Sequence, residues 1–254
     1  MQLCFAGGTS TGQVRPVNQD NYAIDPQGRF FLLADGMGGH AGGEEASRIA
    51  IRSIRDFLEA TWDAEDFSSA HLLRKAILRA NAAILADQNQ HPERIDMGTT
   101  LVAVLQRLDV AESGNPAVKD RFWYTHVGDS RLYRLRNQQL EQLTQDHTWI
   151  AQAVKQGNIS VDQAREHPWR HILSQCVGRQ ELVAVPVQTL DLQRGDRLLL
   201  CSDGLTDELE DGAIAELLAA APTCEAAVEG LLTAANAAGG HDNITTIAVY
   251  CELA

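Results

Sequence analysis

The chain has 254 residues, 44% hydrophobic and 22% charged, with 34 acidic against 21 basic side chains and a net charge of -13. A chain this long buries roughly 75% of its unfolded surface without staples, so the composition is that of a globular protein and not of a disordered one. The acidic balance argues against nucleic acid or an anionic membrane as partner, and any phosphate site must gather its positive charge locally.

Taken in chain order, the N-terminus lacks a basic stretch followed by an apolar run, so no signal peptide is expected. No run approaches the ~18 apolar residues of a membrane span. Residues 30–34 (FFLLA) read as a strand. The stretch 44–58 repeats apolar residues at Ala46, Ile49, Ala50, Ile54 and Leu58, and predicts a helix. A second helix is predicted over 69–85 from Leu72, Leu73, Ala76, Ile77, Ala80, Ile84 and Leu85, with Ser68 or Ser69 as its N-cap. Strands follow at 101–105 and 122–127, separated by a polar, turn-rich loop at 109–120. Residues 145–178 carry His147, Trp149, His167, Trp169 and His171 and read as an insertion with a short helix, packed beside the main body. A strand at 197–201, helices at 211–220 and 224–237, and a strand at 244–250 complete the chain. Strands and helices come in blocks, which favours α+β over a doubly wound parallel sheet. The cysteines, Cys4, Cys176, Cys201, Cys224 and Cys251, are scattered and odd in number. Free thiols in a reducing cytoplasm are expected.

Four segments share a pattern in which an apolar strand meets an Asp: FFLLADGMGGH (Asp35), YTHVGDSR (Asp129), LLLCSDGLTDEL (Asp203) and GGHDNITTIAVY (Asp242). One Asp-Gly at a strand end is a common turn. Four on strongly apolar strands favour a shared site, because ends of neighbouring strands in one sheet lie close. Converging carboxylates repel and their pKa values rise unless a cation holds them. Oxygen donors without Cys or clustered His select Mg²⁺ or Mn²⁺.

Gly36-Met37-Gly38-Gly39-His40-Ala41 formally matches G-x-G-x-x-A, but Asp35 would then face a pyrophosphate and no second strand presents a ribose-binding acid. The glycines, Gly36 among them, fit better as letting the backbone approach an ion or phosphate. His40 reads equally as a loop histidine or a functional one. Arg15, followed by Pro16 and Asn18-Gln19-Asp20, is a candidate phosphate clamp. His167 and His171 have H-x-x-x-H spacing, but Pro168 and the lack of an adjacent Glu make them surface or packing histidines. Cys201 reads as a buried strand residue, and Ser202 lacks the elbow of a nucleophilic serine.

RPVNQD, ADGMGGHAGGEEAS, MGTT, HVGDSR, LLLCSDGLTDEL and GGHDNIT, in that order, resemble the motifs of the metal-dependent Ser/Thr protein phosphatases, the PPM or type 2C family. The resemblance covers nearly the whole chain and is to bacterial, catalytic-domain-only members. DHTWIAQAVKQG and REHPWRHILSQCVG further resemble cyanobacterial enzymes acting on the nitrogen-regulatory PII signal protein. The family implies one α+β domain over 1–254, two central antiparallel sheets between helix pairs (α-β-β-α), a metal cleft at one end and a flap at about 145–178. It implies two Mg²⁺ or Mn²⁺ ions bridged by Asp35, with the Gly36 carbonyl on one and Asp203 and Asp242 completing the other. A third, weaker ion would sit on Asp129 and Asp203, with Asp20 supporting the ligands. Arg15 would hold the substrate phosphate and His40 would act as general acid, while hydroxide between the metals attacks phosphorus. Gln19 departs from many animal members, which carry an acid there. The implied partner is a phosphorylated protein, PII being a candidate, and the implied form a cytoplasmic monomer. Two alternatives stand beside this reading: a metallophosphoesterase for small phosphate esters, whose sites are richer in His, and a non-catalytic phosphoprotein-binding module.

Overall fold

The computed structural model describes residues 2–38, 42–64, 67–107, 121–160, 163–164, 167–182 and 185–252. The predicted loop at 109–120 and His40 lie outside the described residues.

The strands are β1 (Gln2–Ser10), β2 (Asp20–Ile24), β3 (Phe30–Met37), β4 (Gly98–Thr99), β5 (Leu101–Gln106), β6 (Phe122–Val127), β7 (Arg131–Arg136), β8 (Gln139–Gln142), β9 (Gln188–Leu190), β10 (Arg197–Cys201) and β11 (Ile244–Glu252). The helices are α1 (Gly42–Thr61), α2 (Ser69–Gln90), α3 (Trp149–Lys155), a single turn α4 (Asp203–Thr206), α5 (Asp211–Ala220) and α6 (Cys224–Ala238). One sheet has the order β1-β11-β10-β7-β8, the other β2-β3-β5-β6-β9 with β4 paired to β3. All these pairings are antiparallel.

The unbroken apolar strands are explained by burial on both faces. Along β3, Phe30, Leu32 and Ala34 pack with α1 and α2. Phe31 and Leu33 point the other way, into the space between the sheets. On β10, Leu198 and Leu200 enter that same inter-sheet core. Leu199 and Cys201 pack with α5 and α6. Period-two alternation thus feeds two cores from each strand, and the result is four layers, α-β-β-α. Ser68 caps α2 by accepting the His71 N–H at 3.3 Å, as the sequence predicts. All five cysteines are free thiols.

Candidate active site

Chain crossings between the two sheets build the site. Asp35 and Gly36 end β3, and Asp129 sits in the turn from β6 to β7, which carries the chain from one sheet to the other. Asp203 follows β10, and Asp242 precedes β11. The expectation that the carboxylates come from neighbouring strands of one sheet is therefore corrected: β3 and β6 belong to one sheet, β10 and β11 to the other. Facing sheets twist past each other and leave a gap at their ends. Arg15, Gln19, Asp35, Gly36, Glu44, Asp129, Asp203, Asp242 and Asn243 line a cleft there of about 980 Å³.

Each carboxylate is held by its own scaffold. The Asp35 N–H donates to Thr100 Oγ1 at 3.0 Å, and its carbonyl accepts from the Thr100 N–H and from Thr99 Oγ1, both at 2.8 Å. Thr100 Oγ1 lies 2.7 Å from Ser130 Oγ, which ties β3 to the Asp129 turn. Asp20 lies opposite Asp35 in the β2–β3 register. Its Oδ2 accepts from Ser202 Oγ at 2.9 Å, beside Asp203. Asn243 fixes the Arg15 loop: its Oδ1 accepts the Gln19 N–H at 2.8 Å, and its Nδ2 donates to the carbonyls of Thr11 and Val17 at 2.9 and 3.0 Å. Arg15 Nη2 donates to Asp242 Oδ2 at 2.6 Å, with half of the arginine side chain exposed. Two glycines are required by close backbone approach. A Cβ on Gly36 would meet the Gly43 carbonyl oxygen at 2.0 Å, and one on Gly204 would meet that of Asn243 at 2.1 Å.

The electrostatics are those of crowded anions. Burial, then the charges of Asp20, Asp203 and Asp129, raise the Asp35 carboxyl well above the usual range. Burial and then Asp203 do the same to Asp129. Burial, then Asp242, push Asp203 up. Asp20 is raised to about 7, chiefly by burial and against the hydrogen bonds from Thr245 and Ser202. Asp20 Oδ1 and Asp203 Oδ1 are buried and lack a hydrogen-bond partner among the described residues. Buried carboxylate oxygens without partners are costly. A hard divalent cation satisfies them, so this donor set fits Mg²⁺ or Mn²⁺.

The structure brings Arg15, Asp20, Asp35, Gly36, Asp129, Asp203 and Asp242 to one place. His167 packs as expected, its ring 5.8 and 5.7 Å from those of Trp149 and Trp169. His171 is exposed, as expected, but it is not idle surface. It lines the cleft, with Nδ1 3.6 Å from Asp207 Oδ2 and 3.9 Å from Asp203 Oδ2. Burial and then the Asp203 charge raise Asp207 to about 6. Sequence reasoning missed Asn243, inside a motif it singled out, and named His147 only as part of the 145–178 insertion. The His147 Nδ1 accepts the Gly128 N–H at 3.2 Å, and the His147 backbone N–H donates to the Gly128 carbonyl at 2.9 Å. Arg131 belongs to HVGDSR, but its guanidinium is committed to Asp146 at 2.7 Å and to the Tyr133 hydroxyl at 2.8 Å.

Residues 7–238 match the family described as Protein phosphatase 2C. The chain is 34% identical over 252 residues to the serine/threonine phosphatase stp of Listeria monocytogenes, covering 96% of this chain and 94% of that one. It is 36% identical over 249 residues to PstP of Mycobacterium tuberculosis, covering 96% of this chain and 44% of that longer protein. Among solved structures, the catalytic domain of PstP in complex with two manganese ions superposes with a TM-score of 0.84, 32% identity and 99% of both chains covered. Stp1 of Staphylococcus aureus also gives 0.84, at 31% identity over all of this chain and 96% of that one.

Proposed function

The chain belongs to the protein phosphatase 2C family and is a serine/threonine protein phosphatase; from that premise we propose that its acidic cleft holds divalent cations which drive hydrolysis of phosphoserine and phosphothreonine in proteins. The observation that carries this reading is the convergence of Asp35, Asp129, Asp203 and Asp242 with buried, unpartnered carboxylate oxygen beside one arginine. Asp35, the Gly36 carbonyl, Asp203 and Asp242 would hold two Mg²⁺ or Mn²⁺ ions, and Asp129 with Asp203 a third, weaker one. Bound there, the ions would lower the pKa of water in the cleft and offset phosphoryl charge. The residues of the chain do the rest. Thr99 and Thr100 hold the Asp35 backbone, and Ser202 orients Asp20. Arg15 keeps donors beyond its bond to Asp242, and these would bind and orient phosphoryl oxygens. His40 would pass a proton to the departing serine or threonine oxygen.

No side-chain nucleophile is needed. Cys201 and Ser202 are fully buried, and Ser202 is spent on Asp20. A small-ester metallophosphoesterase is disfavoured by a donor set of aspartates, and a non-catalytic module by the presence of every matched Asp. We read the chain as one phosphatase domain with residues 145–178 as a flap, acting as a cytoplasmic monomer. Among the described residues, no helix is long and apolar enough to cross a membrane. A phosphorylated PII-type nitrogen signal protein is the proposed physiological substrate, on the likeness of the two flap segments.

The test is hydrolysis of a phosphothreonine peptide after exhaustive chelation and after return of Mn²⁺ or Mg²⁺. The reading expects activity only with added metal. Undiminished turnover in chelator would overturn it.

A further inference from the structure

The floor of the cleft is acidic, but its rim is apolar. Val17, from the Arg15 loop, and Ile172 and Leu173, from the flap, all line it. Val17 is 46% exposed and Ile172 50%. Two tryptophans are tied to Ile172 through the backbone. The Ile172 N–H donates to the Trp169 carbonyl at 3.1 Å, and the Trp149 N–H donates to the Ile172 carbonyl at 2.9 Å. The indoles meet edge to face at 5.4 Å, yet Trp169 remains 53% exposed and Trp149 44%. Among the described residues, the large apolar side chains left exposed are Val14, Val17, Ile95, Trp149, Trp169 and Ile172. All but Ile95 lie on the Arg15 loop or the flap. Scattered exposed apolar residues need no explanation, but a contiguous patch marks a contact surface. Exposed tryptophan is also the residue type that most often anchors one.

Resting on the phosphatase reading above, we infer that this rim docks the residues flanking the phosphorylated serine or threonine, and that it selects substrates whose flanks are apolar. Val17 and Ile172 line the cleft itself, and the backbone bonds above tie the tryptophan pair to Ile172, so an extended segment that places its phosphate on the floor lays its neighbouring side chains towards them. Acidic flanks would have to give up water against apolar side chains, in a chain of net charge -13. The substrate class is therefore a phosphoserine or phosphothreonine in an extended, apolar-flanked polypeptide segment. Covering two half-exposed indoles with a leucine or phenylalanine is worth about tenfold in kcat/KM.

The experiment measures kcat/KM, at saturating Mn²⁺, for phosphothreonine peptides that differ only in leucine, glycine, lysine or glutamate at the flanking positions. Each value is divided by that of the same preparation on p-nitrophenyl phosphate, so altered folding or metal loading cancels. The wild type should favour the leucine peptide over the glycine peptide by about tenfold, with glutamate last. The double variant Trp149→Ser/Trp169→Ser should lower that preference to under about threefold. A phosphonate analogue of the leucine peptide should blue-shift the tryptophan emission of the wild type and not that of the double variant, a readout independent of turnover. Equal use of the four peptides, or a preference for lysine flanks, would overturn the inference while leaving the phosphatase reading intact. No hydrolysis of p-nitrophenyl phosphate with metal would sink the phosphatase reading itself. Sedimentation closes the remaining route: a dimer that the double variant abolishes would assign the rim to a second copy of this chain, and the inference would fall.

Discussion

Arg15 and His40 act at different stages of the proposed reaction, and single substitutions separate them. Arg15 is half exposed and pairs with Asp242. Its bonds to phosphate would be similar in ground and transition states, so Arg15→Ala should raise KM by about tenfold on every substrate and leave kcat nearly unchanged, the worth of one charge-assisted bond. A general acid matters only where the departing oxygen needs a proton. His40→Ala should lose little kcat on p-nitrophenyl phosphate but roughly 10²–10⁴-fold on a phosphoserine peptide. Equal losses on the two substrates would assign His40 to positioning instead. Gly204 offers a purely steric test. A Cβ there would lie 2.1 Å from the Asn243 carbonyl oxygen, where only backbone movement gives relief. Gly204→Ala should cost about 1–3 kcal/mol in urea unfolding and weaken metal binding together, because the displaced Asn243 adjoins Asp242. Wild-type stability in that variant would mean the α4 turn yields without disturbing β11.

The segment 145–178, proposed above as a flap, is pinned at both ends, and each pin is an interaction between distant parts of the chain. At its start His147 brackets Gly128 with two hydrogen bonds, and its carbonyl accepts the Ser174 N–H at 2.8 Å. At its end Asn81 and Gln88 of α2 hold Gly178: Asn81 Oδ1 accepts the Gly178 N–H at 2.6 Å, and Gln88 Nε2 donates to the Gly178 carbonyl at 3.1 Å. His147 stacks on His126 at 4.4 Å, and Asp146 beside it is committed to Arg131. Burial, then the neighbouring His126, push His147 down to about 4, against about 6.5 unfolded. The fold holds the neutral ring, so its contribution to stability is complete above pH 6.5 and is lost as pH falls from there to about 4. His147→Asn keeps an acceptor for Gly128 without titrating, and should flatten that part of the stability profile while retaining activity. His147→Leu removes the acceptor and should lower kcat in both acid and neutral buffer. The reverse order, with Asn the more damaging, would rule out the hydrogen bond as the cause. Elements of this kind were the least legible in the sequence. β6, β10 and α5 match their predicted limits: β6 opens on three aromatic residues and β10 holds the apolar run 198–201. β7 was hidden by Arg131, Arg134 and Arg136, whose charges pair with Asp146, Glu141 and Asp196. β1 and β2 were hidden by half-burial and by Gly7 and Gly8. The aspartates could be read because each adjoins an apolar strand, whereas His171, Asn243 and His147 gain their places only from tertiary contacts.

At the scale of the whole molecule, two sheets packed face to face bring four acidic strand ends into one cleft, and an acidic protein is left with a site for an anionic substrate. That arrangement is self-repelling without cations: Asp35, Asp129 and Asp203 all have raised pKa values, first from burial and then from Asp20 on Asp35, Asp203 on Asp129 and Asp242 on Asp203. Cation binding should therefore stabilise the fold as well as activate it, since a ligand bound only by the folded state raises its stability by mass action. Melting followed with increasing Mn²⁺ should move upward in the wild type and not in Asp35→Ala. The most direct measurement of the central claim is Mn²⁺ bound per chain, by equilibrium dialysis, recorded alongside phosphate release from a phosphothreonine peptide. The account predicts at least two ions per wild-type chain, as in the PstP catalytic domain complex, with activity rising with occupancy and both lost in Asp35→Ala. An Asp35→Ala chain that binds manganese and releases phosphate as the wild type does would contradict it.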